Sequence, residues 1–174
     1  MSALTFTEEL IFPVAAGKLF KAVVFDSDNL FPKLIPEIYR RIEIIEGDGG
    51  PGSIKKAEFS EGAEFKYLKK RIDALDEEKL TYGYTVIEGD VLMDNVESIA
   101  YEVKFEATPD GEGCKCTYVS KYTLKPGAEI SEKQLKDGKA KLAAMRKAME
   151  VHLLEMHMLK IKGTLVAPPH PHLL

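Results

Sequence analysis

The sequence predicts an α+β domain: an antiparallel sheet followed by one long helix. Two observations predict it. From residue 38 to 124, short strand-like runs follow one another with turn-forming residues between them. From residue 131 onward, apolar residues recur every three or four positions. Consecutive short strands joined by short turns make a meander, not the parallel sheet of a βαβ chain. A repeat near 3.6 residues marks an amphipathic helix.

The elements follow in order. The run ALTFTEELIF (3–12) has the β-branched and aromatic content of a first strand. Pro13 suits the first turn of a helix, where its missing N–H costs little, and Val14, Leu19, Phe20 and Val23 give a partly helical spacing. In DSDNLFPKLIPEIY, Asp26, Ser27 and Asp28 are candidate N-caps. Pro32 and Pro36 keep a second helix short or kinked. Six strand-like runs come next: YRRIEIIE, SIKKAEFS, EFKYLKKRIDAL, KLTYGYTVIE, ESIAYEVKFEAT and CKCTYVSKYTL. Alternation is plainest where Tyr101, Val103 and Phe105 are interleaved with Glu102, Lys104 and Glu106. Such a strand has one face on an interior and one in water. The separators GDGGPG, SEGA, LDEE, GDVLMDN and PDGEG have turn composition.

KPGAEISEKQ opens the last element, with Ser131 and Gln134 spaced as a capping box. Leu135, Leu142, Met145, Met149, His152 or Leu153, and Met156 form its apolar stripe and lysines fill much of the rest. The stripe predicts a helix of about 25 residues, which must lie across the concave side of the sheet. The prolines of LKIKGTLVAPPHPHLL end it. Residues 1–157 therefore read as a single domain and 158–174 as a disordered tail, His170 and His172 included.

Composition narrows the function. A chain of 174 residues suits one domain with a sizeable core. A net charge of −4 repels a phosphate backbone, so a nucleic-acid partner would need a local basic patch. No apolar run is long enough to span a membrane, and MSALTFTEELIF lacks the layout of a signal peptide. The two cysteines, Cys114 and Cys116, stand two apart on a strand. Their Cα atoms would then be roughly 6.5–7 Å apart, at or beyond disulfide reach. Free thiols and no secretory signal favour the cytoplasm. Without nearby paired histidines the cysteines make no zinc site, and no metal or cofactor is expected.

At this point separated motifs acquire a common meaning. EGDGGPGSIKK (46–56) closely resembles the signature loop of the plant pathogenesis-related class 10 proteins, the group of the major birch-pollen allergen. FDSDNLFPKLIP (25–36), YTVIEGD (84–90), YEVKFEATPDG (101–111) and KYTLKPG (121–127) resemble other family segments in the same order. The resemblance covers residues 1–157. It implies a seven-stranded antiparallel curved sheet wrapped around a long C-terminal helix, with two short helices in a V, the helix-grip or START-like arrangement. It also implies a large apolar cavity between sheet and helix that binds flavonoids, cytokinins, sterols or fatty acids. A few relatives are enzymes of alkaloid biosynthesis.

By resemblance, Phe31, Phe59, Phe65, Tyr67, Tyr82, Tyr84, Tyr101, Val103, Leu142 and Met145 should line that cavity. Phe31, Phe59 and Phe65 could equally be plain core. For Tyr82, Tyr84 and Tyr101 a wet pocket fits better, because buried hydroxyls need partners. Tyr101 stands where the birch allergen is expected to carry a smaller polar residue, and should narrow the cavity or add a hydrogen-bonding handle. The loop Gly47-Asp48-Gly49-Gly50-Pro51-Gly52 lacks the Lys-Ser/Thr that closes a nucleotide loop at a helix start. It reads as a hairpin turn with left-handed positions, an anion nest being the alternative.

Ribonuclease activity is attributed to the family. The residues invoked map to Lys55, Glu97 and Glu150, with His152 where a tyrosine is usual. Histidine can serve as acid or base near neutrality, but residues two apart on a helix, such as Glu150 and His152, do not face each other. Condensation chemistry would need a perturbed lysine or carboxylate inside the pocket. Lys139 and Lys141 sit near the cavity-facing stretch, though helix lysines usually face water. The expected function is a monomeric, cytoplasmic plant carrier of small hydrophobic, often aromatic, metabolites or hormones in defence or development, with an enzyme using the same cavity or loop as the alternative.

Overall fold

The structure is a computed structural model and describes residues 3–63 and 65–140. Seven strands form one sheet: β1 (Ala3–Phe12), β2 (Tyr39–Glu46), β3 (Ile54–Phe59), β4 (Tyr67–Asp76), β5 (Thr81–Gly89), β6 (Val96–Ala107) and β7 (Cys114–Leu124). Their spatial order is β1-β7-β6-β5-β4-β3-β2, and every neighbouring pair is antiparallel. Six consecutive strands make the expected meander, and β1 closes onto the last of them. Register breaks at Tyr39/Arg41, Ile44/Glu46, Lys69/Lys70, Ile72/Ala74 and Val96/Ser98. Such bulges bend strands and sharpen their twist, which curves the sheet.

Two short helices, α1 (Ala16–Phe20) and α2 (Ser27–Leu34), separate β1 from β2. A π-helical turn, Lys21–Phe25, prolongs α1 as far as Asp26. Pro13 lies three residues before α1 rather than within its first turn, so the helix starts later than its proline suggested. Asp26 occupies the N-cap position of α2, but its side chain makes no capping hydrogen bond. Pro32 is inside α2 and Pro36 follows its end. Helix α1 packs on β6 and β7 while α2 packs on β2, so the pair bridges opposite ends of the curved sheet. The Phe20 ring meets Phe105 of β6 edge-on, centroids 5.3 Å apart. Burying a side chain of this size contributes roughly 2–3 kcal/mol.

Residues 132–140 are helical, and here the capping box closes as its spacing requires. The Gln134 amide donates to Ser131 Oγ at 3.1 Å, and the Ser131 amide donates to Gln134 Oε1 at 3.1 Å. Leu135 packs against the sheet's core. Leu142, Met145, Glu150, His152 and the rest of the predicted helix and tail lie outside the described residues.

The core has two parts. One gathers Phe12, Leu19, Phe20, Ile72, Tyr82, Val103 and Phe105 near α1. The other gathers Phe59, Phe65, Val91, Leu92, Val96, Ile99, Tyr101 and Tyr122. Val91 and Leu92 reach it from a single 3-10 turn, Asp90–Leu92, between β5 and β6. Cys114 and Cys116 are fully buried free thiols, their sulfurs 3.8 Å apart on the same side of β7.

Candidate functional site

A cavity of about 130 Å³ lies where the two core clusters meet. Its walls take Val23 and Ser27 from the α1–α2 corner, Phe31 from α2, and Lys55 and Ala57 from β3. Leu68 and Lys70 of β4, Tyr82, Tyr84 and Val86 of β5, Tyr101 and Val103 of β6, and Tyr118 of β7 complete most of it. These positions share the inner face because side chains alternate along each strand.

One stretch of the wall is a row of three phenols. Tyr82 and Tyr84 are two apart on β5, with ring centroids 5.1 Å apart. Tyr84 is the direct cross-strand partner of Tyr101, and their rings stack at 5.0 Å with planes 25° apart. Burial raises the Tyr82 hydroxyl to a pKa of about 12, with nearby Lys55 opposing the shift. A phenol in such a wall offers ring area and a hydroxyl that stays protonated at neutral pH.

Two lysines stand on the same inner face. Lys55 is buried, and its ammonium donates to Asp28 Oδ1 at 3.0 Å, tying β3 to α2. Lys70 is the direct cross-strand partner of Lys55. Its Nζ stands 4.7 Å from the centre of the Tyr84 ring and 5.6 Å from that of Tyr82.

The glycine-rich segment joins β2 to β3 as a hairpin loop. Four of its amides are spent on the chain itself. Gly49 N–H donates to Ser53 Oγ at 2.8 Å, Gly50 N–H to Asp48 Oδ1 at 2.9 Å, and Gly52 N–H to the Ile72 carbonyl at 2.7 Å. The Ser53 amide returns to Gly50 O at 3.0 Å. An anion nest needs successive free amides, and these four are used. Gly47 sits at φ +88°, and a Cβ there would clash with the side chain and the Cα of Ser53, so only glycine fits.

A family model described as the pathogenesis-related protein Bet v 1 family matches residues 1–156. The chain belongs to this family. Major allergen Pru ar 1 of Prunus armeniaca is 46% identical over 154 residues, covering 88% of this chain and 96% of that one. Major strawberry allergen Fra a 1-C of Fragaria ananassa is 46% identical over 153 residues, covering 88% and 95%. Among solved structures, Ara h 8.0201 superposes with a TM-score of 0.75 at 38% identity, covering 88% of this chain and 99% of that one. Norcoclaurine synthase from Thalictrum flavum superposes with a TM-score of 0.68 at 26% identity, covering 88% of each. The Bet v 1 fold is one that binds small hydrophobic ligands, and the cavity occupies the space between its sheet and helices.

Within this Bet v 1 chain the expected lining residues divide. Phe31, Tyr82, Tyr84, Tyr101 and Val103 line the cavity. Phe59 and Phe65 are buried one step behind it, in a row of rings that runs Phe31, Tyr39, Phe59, Phe65. Tyr67 must be corrected: it is on the outer face of β4, where its hydroxyl donates to Glu88 Oε2 at 3.0 Å and Lys56 Nζ lies 5.3 Å from its ring centre. The reason is parity, because Leu68 and Lys70 take the inner face and Tyr67, one position before Leu68, points to the other side with Lys69. Lys139 Nζ rests 4.1 Å from the centre of the Phe6 ring, at the β1 end of the sheet.

The residues invoked for ribonuclease activity do not assemble among the described ones. Lys55 faces the cavity, engaged by Asp28, whereas Glu97 is exposed on β6. Three strand steps separate them, on the order of 14 Å. Glu150 and His152 lie outside the described residues. Sequence reasoning did not count Lys70, Leu68, Val86, Val91 or Tyr118 as lining. For Leu68 and Lys70 the signal was available, since they share a strand side with the apolar Ile72.

Proposed function

We propose that this protein binds and carries small apolar, aromatic metabolites of the flavonoid, cytokinin or sterol type within the cytoplasm of plant cells, acting as a monomer in defence or development. One observation supports the reading: a cavity lined by stacked tyrosines and by Val86, Val91 and Val103, on a fold whose relatives share 46% of their residues with this chain. Affinity would come from area. Each ~100 Å² of apolar surface removed from water contributes about 2.5 kcal/mol before the cost of immobilising the ligand. Phenol hydroxyls on the wall would fix the orientation of a ligand oxygen or nitrogen.

The test is displacement. An apolar fluorescent probe is bound to the full chain and titrated with flavonoids, cytokinins and sterols. Release of the probe at micromolar ligand is the expected result. Failure of every member of a broad panel to displace it would overturn the carrier reading. The ribonuclease alternative gains nothing from the separation of Lys55 and Glu97.

A further inference from the structure

We propose that the cavity selects aromatic acids, holding the carboxylate of a one- or two-ring ligand at Lys70 while the ring lies against Tyr84 and Tyr101. This rests on the carrier reading and assigns it a ligand class. On the outer face of β4 the basic residues have acidic partners: Lys69 meets Glu88 at 3.2 Å and Arg71 meets Asp73 at 2.7 Å. On the inner face, Lys55 meets Asp28 at 3.0 Å. Lys70, between Lys69 and Arg71, has no carboxylate within ion-pair distance among the described residues.

Lys70 is nevertheless half-buried, and a second lysine stands directly opposite it on β3. Like charges in directly opposed positions are unfavourable. Asp28 cancels Lys55, which leaves the described part of the cavity wall one positive charge in excess. The tyrosine faces soften that charge without neutralising it, since a cation over a ring recovers only a fraction of its lost hydration. A ligand carboxylate supplies the missing anion through a charge-assisted hydrogen bond.

The neighbouring rings specify the rest of the ligand. Lys70 stands over Tyr82 and Tyr84, and Tyr84 stacks on Tyr101, so a flat ring bearing an acid would meet cation and aromatic surface together. A cavity of about 130 Å³ favours one or two rings over a four-ring sterol. Lys70 is thus a specificity-determining residue, distinct from Lys55, whose charge is already matched.

The experiment compares 2-naphthoate with 2-naphthamide, which differ in charge and share a ring, by titration calorimetry on the full chain. Naphthoate should bind about tenfold more tightly or better, as expected for a half-buried ionic hydrogen bond. The preference should shrink as salt is raised. Lys70→Met should bring the acid-to-amide ratio close to one, and Lys70→Arg should keep most of it. Circular dichroism of both variants establishes that they fold. If naphthamide binds and naphthoate binds no better, or if Lys70→Met leaves the ratio intact, the acid assignment is overturned and the carrier reading stands. If neither compound binds and the neutral panel also fails to displace the probe, the carrier reading falls with it.

Discussion

Tyr84 and Tyr101 face each other across β5 and β6, their rings stacked with centroids 5.0 Å apart. Tyr101 is also almost fully buried. It therefore acts both as a structural ring and as a wall of the cavity. Tyr101→Ala should cost about 3 kcal/mol of stability, the range for deleting a buried aromatic ring, as measured by urea unfolding. The same change should enlarge the cavity and reorder a ligand series towards bulkier members. An unchanged order would remove Tyr101 from the binding wall.

The Lys55–Asp28 pair gives a second prediction. Lys55 is buried and Asp28 nearly so, and removing one member of such a pair leaves the other charge without compensation. Asp28→Asn should destabilise by about 3 kcal/mol. Adding Lys55→Met to it should recover part of the loss, because the orphaned cation goes too. A double variant no more stable than Asp28→Asn would show that the pair's contribution is not electrostatic. Asp28→Asn should also raise the preference of the cavity for anionic ligands, since both lysines are then unmatched.

Tyr82 yields a pH dependence. Its hydroxyl is raised from the ordinary phenol value near 10 to about 12 by burial. The unfolded chain then releases this proton before the folded one does. Its contribution is fully present below pH 10 and is lost as the pH climbs through 12. Two units correspond to about 2–3 kcal/mol. Urea midpoints measured between pH 9 and 12 should fall less steeply in Tyr82→Phe than in the parent. Equal slopes would mean that the phenol ionises normally in the folded protein.

The sequence made some of this legible and hid the rest for physical reasons. Strand alternation is a local signal, and where one face is buried it is strong: all six runs of the meander became strands. The Ser131–Gln134 box depends on four consecutive residues, and it closed at both ends. Tyr67 was expected in the lining by resemblance, and the strand overrules that: Leu68 and Ile72 put the even positions of β4 inside, so Tyr67 falls outside with Lys69. Val91 and Leu92 were hidden in what read as a polar turn, GDVLMDN, whose one helical turn buries both. Lys70 was missed because a lysine is presumed to face water. Only its parity with Leu68 and Ile72, and the pairing with Lys55 that no sequence displays, put it on the inside.

The pairing of β1 sets the order in which this chain can be assembled. Ala3 lies against Thr123 and Phe12 against Cys114, so the first strand made is completed by the last. Roughly a hundred residues must be synthesised and threaded through the meander before β1 has a partner, and contacts so distant along the chain slow folding. At ~5–20 residues per second the ribosome leaves that segment waiting for several seconds. During that interval Leu4, Phe6 and Leu10, which later pack against the two core clusters, have nothing of their own sheet to cover them.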